Sequence, residues 1–254
     1  MTNQRPATAA AQPMTAADWT SFLAELGRDP VMAGEQPKQE RSRKRQQEIL
    51  RAALRVFARD GISRARLGDI AAEAGVPVSS IYEYYPSKED IAFAVPSIHL
   101  ARFYQEYAEV ALPTLSARER LRLYLWLAAD FARRNPDWAR TLYLEIWPSV
   151  LVGDSPVRHS VDDYVRVVLW LLREGEARGE WPAAHSHYET ATILNGSVNQ
   201  VIITWLIYRK PRDLMKATNA LLARLLDALL PAAAAVAQRP GGLGPARQKV
   251  PKRP

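Results

Sequence analysis

Between residues 40 and 230, apolar side chains recur every three to four positions, the spacing that places them on one face of a helix. Ile49, Ala53, Val56 and Phe57 form one such stripe, and Val161, Val165, Val168, Leu169 and Leu172 a second. Leu194, Val198, Val201, Ile202 and Trp205 form a third, followed by Leu214, Leu221, Leu222, Leu225 and Leu229. Start signals accompany the stripes. Ser116 with Glu119 and Ser186 with Glu189 have the capping-box spacing, and Ser87 with Asp90 is a weaker version. Asn135-Pro136 and Ser155-Pro156 set a capping side chain before a proline at the first helical position. No sustained two-residue alternation competes with these patterns. The predicted class is all-α, with about nine helices at ordinary helix lengths.

Residues 41–90 hold the most specific pattern. A long first helix is predicted to end at Asp60-Gly61, where glycine permits a left-handed stop. A short second helix, Leu67–Ala74, stops at Gly75, and a third is predicted over residues 79–85, just before Pro86. Two short helices joined by a glycine-containing turn describe a helix-turn-helix, whose second helix can enter a DNA major groove. Ile70, Ala71, Ala74, Val76, Ile81 and Tyr85 fall where its core requires apolar groups. That leaves Val78, Ser79, Ser80, Tyr82 and Tyr84 for the outer face, with Lys88 at the start of the next helix. Small hydroxyls can touch base edges, while tyrosine hydroxyls and ammonium groups reach phosphates.

Charge sharpens this picture. The 254-residue chain has 34 basic and 27 acidic side chains, a net +7. From residue 38 to 66 there are ten basic residues, Arg43 and Arg45 among them, against three acidic ones. Residues 239–254 add five basic groups and no acidic one, whereas 91–238 is nearly neutral. A basic run at the head of a small helical unit can follow phosphates, although the same run also suits a solvated helix face.

The stretch from Ala71 through Gly75-Val76 and Ser79-Ser80-Ile81-Tyr82-Glu83-Tyr84-Tyr85 to Ser87-Lys88-Glu89-Asp90-Ile91 resembles the DNA-binding domain of TetR-family transcriptional regulators. The resemblance covers residues 43–92, and the segment from Ile49 to Gly61 is similar to that family's first helix. It implies that Ser79 and Ser80 read bases or approach phosphates. Tyr82, Tyr84 and Lys88 then take the phosphate-contact positions, and Tyr85 the core aromatic position. One residue departs from the pattern: Arg66 stands where the family commonly has a capping threonine. Arginine cannot accept a helix N–H, so the cap is either lost or supplied by another group, while its charge can still reach a phosphate.

In the larger half, Phe103, Tyr124, Trp126, Phe131, Tyr143, Trp147 and Trp170 are candidates to line an apolar pocket, though aromatic residues also simply fill helical cores. The resemblance implies a small-molecule effector pocket there, and a homodimer through the last two long helices, near 188–208 and 212–230. Val198, Val201, Ile202, Trp205, Leu221, Leu222 and Leu225 supply the apolar surplus for such an interface. A dimer implies a palindromic double-stranded DNA operator. Pro96 is a candidate bend point in the helix joining the halves.

The expected organisation is an N-terminal arm (1–40), a helix-turn-helix domain (41–92), an effector and dimerisation domain (93–230) and a basic tail (231–254). Both ends have compositions that predict disorder, although residues 15–26 can form one short helix. Rival readings are a protein-interaction bundle with a degenerate helix-turn-helix, and a small-molecule enzyme. Catalytic motifs are missing: there is no G-x-S-x-G, H-E-x-x-H or phosphate-binding loop. His185 and His187 are two apart, which does not put them on one helix face. Without cysteine there are no disulfides, thiolate metal sites or cysteine nucleophiles, so neither cofactor nor metal is expected. Residues 1–13 hold no apolar signal segment and no apolar run is long enough to span a bilayer, so the expected location is the bacterial cytoplasm.

Overall fold

The computed structural model describes Ser21 and residues 37–148, 157–183 and 186–232. Expectations for residues 1–36, for Ser155-Pro156, for His185 and for most of the basic tail lie outside the described residues. Nine α-helices and one π-helical segment make up the described regular structure, with no strand among them. They are α1 (Pro37–Asp60), α2 (Leu67–Ala74), α3 (Val78–Tyr82), α4 (Lys88–Val110), α5 (Ala117–Arg134), α6 (Pro136–Arg140), α7 (Val157–Ala177), α8 (His187–Tyr208) and α9 (Leu214–Leu229). The π-helical segment, Thr141–Ile146, continues directly from α6.

The helix boundaries follow from local chemistry. Gly61 stops α1 at φ 80° and Gly75 stops α2 at φ 67°. After α2 the Gly75 N–H donates to Ala72 and the Val76 N–H to Ala71, which satisfies carbonyls the helix leaves open. Ser116 and Glu119 form the full capping box at the start of α5. Ser87 and Ser186 each accept a first-turn N–H. Asn135 behaves differently from its predicted role. Its Nδ2 donates to the Phe131 carbonyl at 2.9 Å, so the side chain closes α5 instead of opening α6. Only one residue separates those two helices, and it serves the earlier one.

α1 packs against both α2 and α4, and buried Ile49, Val56, Phe57, Ile70, Ile81, Tyr85 and Ile91 make the core of this N-terminal unit. α4 carries Pro96 and stays helical on both sides of it. The helix therefore crosses the expected domain boundary at residue 92, and the buried residues on either side belong to one continuous cluster. In the larger half α5 is central, touching α4, α6, α7, α8 and α9. Its first amides, of Ala117 and Arg118, donate to the Glu180 carboxylate at 2.8 and 3.0 Å. Gly175, in the last turn of α7, makes room for the buried Trp181 ring; a Cβ there would lie 1.9 Å from that ring.

Candidate nucleic-acid interface and aromatic chamber

α3 is held from below and open above. Ile81 is buried in the N-terminal core, and Tyr85 beyond the helix is buried beside it. Val78 and Ser79 are exposed and Ser80 is half-buried. Tyr82 stands out at 57% exposure, whereas Tyr84 is half-buried against the core. Of the two tyrosines, Tyr82 is the more exposed. Lys88 is half-buried, and its ammonium donates to the Ser63 carbonyl at 3.3 Å, across the turn between α1 and α2. Farther up α1, Arg45 is exposed and pairs with Glu48 at 3.3 Å, while Arg43 is half-buried.

Arg66 settles the capping question raised by its sequence. Its backbone N–H donates to the Asp69 carboxylate at 3.1 Å, so Asp69 supplies the reciprocal half of a capping box. The guanidinium takes no part in the cap and is exposed. The side chain is thereby available to a phosphate without costing α2 its start.

In the larger half, five of the pocket candidates meet in one cluster. Phe103 touches Tyr124 and Phe131 edge-on at 5.3 and 5.6 Å between centroids. Phe131 meets Trp138 at 5.2 Å, Trp138 meets Tyr143 at 6.4 Å, and Tyr143 stacks on Trp147 at 6.0 Å. Trp126 and Trp170 are half-buried, and Trp170 lies beside Arg120, 5.6 Å from ring centroid to guanidinium carbon. The cluster also takes in His99, Tyr104, Tyr107, Trp138 and Tyr164, which the sequence reading missed. The i, i+4 spacing of His99, Phe103 and Tyr107 was the available signal, since it stacks those rings on one face of α4.

Burial, reinforced by Arg102 and Arg51, pushes the His99 imidazole down to about 4, so it is neutral at pH 7. Burial also raises the Tyr104, Tyr124, Tyr143 and Tyr164 hydroxyls, which stay protonated. The cluster is thus a packed set of uncharged aromatic rings with a few polar atoms among them. Three of these, His99 Nδ1, Trp138 Nε1 and the Tyr164 hydroxyl, are buried without a hydrogen-bond partner. No group of side chains suited to hold a metal ion occurs among the described residues.

The family model described as "Bacterial regulatory proteins, tetR family" matches residues 49–95, which span the end of α1, the helix-turn-helix and the start of α4. The fatty acid metabolism regulator protein of Bacillus subtilis is 24% identical over 182 residues, 72% of this chain and 94% of that protein. Residues 49–95 thus carry the DNA-binding domain described for the tetR family of bacterial regulatory proteins. The protein is a DNA-binding transcriptional regulator. The transcriptional regulator AcrR of Shigella flexneri is 27% identical over 205 residues, covering 76% of this chain and 92% of that one. Among solved structures, FadR from Bacillus subtilis in complex with stearoyl-CoA superposes with a TM-score of 0.66 at 24% identity. That superposition covers 70% of this chain and 96% of FadR, and it shows the shared fold.

The fold also separates the candidate dimer residues by exposure. Val198, Ile202 and Leu222 are fully buried in the protomer's own core and have no surface to offer a partner. Val201, Trp205, Leu221 and Leu225 are half-buried and remain accessible. Ile193 and Ile207, which the sequence reading passed over, are 45% and 51% exposed on the side of α8 away from that core. Among the described residues no helix is long and apolar enough to cross a membrane.

Proposed function

We propose that this regulator is a cytoplasmic TetR-family repressor that binds a palindromic operator as a homodimer and leaves it when an apolar effector occupies the aromatic cluster. The observation that carries the reading is α3, a short helix with a buried anchor, Ile81, and an outward row formed by Val78, Ser79 and Tyr82. Arg66 adds a charged contact at the edge of the same face, and the N-terminal part of α1 adds Arg43 and Arg45. Residues 41–92 act as the DNA reader and 93–230 as the sensor and dimerisation unit.

The sensor's part is binding, not catalysis. Uncharged rings from α4, α5, α6 and α7 favour a ligand with a large apolar body. His99 Nδ1, Trp138 Nε1 and the Tyr164 hydroxyl are the points where its polar groups bond, since a buried polar atom gains most from a partner. FadR of Bacillus subtilis has been solved with stearoyl-CoA, so a long-chain acyl thioester is the first effector to test. Release requires that the ligand bind the DNA-incompetent state more tightly, because equal affinity shifts nothing.

The test is a titration of the full-length protein against DNA flanking its own gene, at several salt concentrations. Wild type should lose affinity steeply with salt, because each phosphate neutralised releases counterions. Arg66→Ala should weaken binding to all operator variants alike and reduce the salt slope by about one. The Asp69 cap uses the Arg66 backbone N–H, so the fold should be unaffected. Tyr82→Ala should also weaken binding uniformly but leave the slope unchanged, since a neutral hydroxyl releases no counterion. Ser79→Ala should instead alter preference at particular bases. An unchanged slope removes Arg66 from the phosphate contacts. Absence of binding to any flanking or random DNA at low salt sinks the repressor reading.

A further inference from the structure

The turn that ends α1 is finished by a residue from the other half of the molecule. After Gly61 the chain leaves the helix, and the Ile62 N–H needs a partner that the helix no longer supplies. It donates to Glu145 Oε2 at 2.5 Å, across 83 positions of sequence, in a partly buried setting. The same carboxylate sits over Gly61, where an added Cβ would lie 3.6 Å from Glu145 Oε1. Nothing in the local sequence of either segment announces this contact.

Glu145 lies on the π-helical segment, where the Trp147 N–H reaches back five residues to Leu142. Single π turns carry one residue more per turn than an α-helix and recur at functional sites. This segment has two faces with different neighbours. Tyr143 packs into the aromatic cluster, edge-on to Trp138 and stacked on Trp147. Glu145 points to the DNA-binding unit. Converting the π turn to α geometry rotates the residues beyond it by about 100°, so the contacts of Tyr143 and Glu145 cannot both survive the change. A cavity of about 420 Å³ beside the carboxylate gives it somewhere to go. Ile62, Ser63, Lys88, Phe93 and Glu145 line it, so it lies against both the α1–α2 turn and the start of α4.

We propose that Glu145 is a positioning residue for operator binding: its carboxylate holds the Gly61-Ile62 turn, and with it the helix-turn-helix unit, in the DNA-binding orientation. Rearrangement of the π segment by an occupant of the aromatic cluster releases it. This rests on the repressor reading for its consequence at the operator, but the clamp itself can be measured without DNA. It joins the aromatic cluster to the helix-turn-helix unit through one hydrogen bond on a π segment, and a second packing of that segment is what physical coupling would require.

The experiment uses the full chain as wild type, Glu145→Gln and Glu145→Ala, with amide hydrogen exchange and operator titration run side by side. Glu145→Ala should speed exchange of the Ile62 amide at least about tenfold and weaken operator affinity by about tenfold, the worth of a hydrogen bond to a charged acceptor. Glu145→Gln keeps an acceptor oxygen and should restore most of both. Charge alone predicts the opposite sign, since removing a carboxylate strengthens attraction to phosphates. Exchange of α5 amides should not change in either variant, which separates loss of the clamp from loss of the fold. Unchanged Ile62 exchange in Glu145→Ala overturns the proposal, and so does faster exchange with unchanged operator affinity. Wild-type protein that binds no DNA is the separate failure of the repressor reading.

Discussion

Glu174→Ala is expected to be the most damaging single substitution in the sensor half, lowering the unfolding free energy by about 3–5 kcal/mol. Glu174 and Arg120 are 2% and 1% exposed, and Arg120 Nη2 donates to Glu174 Oε1 at 2.5 Å. Arg178 reaches the same oxygen at 2.6 Å, and the Tyr107 hydroxyl donates to the Arg120 carbonyl at 3.0 Å. The pair ties α5 to α7, and Trp170 packs along the guanidinium. Removing the carboxylate leaves a guanidinium in a dry site without its counter-charge, and that residual desolvation is the large cost. The pair itself is not a large net asset. Arg120→Met with Glu174→Leu should therefore recover most of the stability that Glu174→Ala loses. Urea unfolding of wild type and these two variants decides the matter. If Glu174→Ala falls within 1 kcal/mol of wild type (a threshold of about one ordinary hydrogen bond), water or a rearranged partner compensates the arginine.

That ion pair also marks where sequence stops being informative. Arg120 and Glu174 are 54 positions apart, and each looks like any charged residue on an amphipathic helix. Local signals carried farther. Gly61 and Gly75 mark the ends of α1 and α2 because only glycine adopts a left-handed stop without strain. Ser116 with Glu119 marks the start of α5 because both hydrogen bonds are made within four residues. Asn135 shows the limit of the same logic: its side chain had two helices to choose from, and the sequence holds no term for that competition. Periodicity has a similar blind spot at α8. It picks out Val198 and Ile202 and passes over Ile193 and Ile207, because the three-dimensional packing decides which face the protomer keeps for itself. The aromatic cluster was legible as composition, and its membership only as geometry, since His99 and Trp138 come from helices far apart in sequence.

On the homodimer proposed above, Ile207→Lys is expected to give a monomer and to lower operator affinity by about 10²–10⁴-fold, the avidity lost when two half-sites are no longer bound together. Ile207 is 51% exposed, and Ile193, 45% exposed, lies two heptads earlier on the same side of α8. Between them Gly196, Ser197, Gln200 and Thr204 complete an outward face without a single charged residue. A solvated helix face normally carries charge, and this one has the uncharged, partly apolar character of a contact surface. In a lone protomer a lysine at 207 reaches solvent and costs little. Within an interface formed by this face it would bury a charge without a counter-charge. The sign of the charge makes the outcome diagnostic, because an added lysine by itself strengthens attraction to DNA. Light scattering should report the monomer mass with helicity retained, and the operator titration should show the affinity loss. A variant that stays dimeric, or a monomer that keeps wild-type operator affinity, removes this face of α8 from the mechanism.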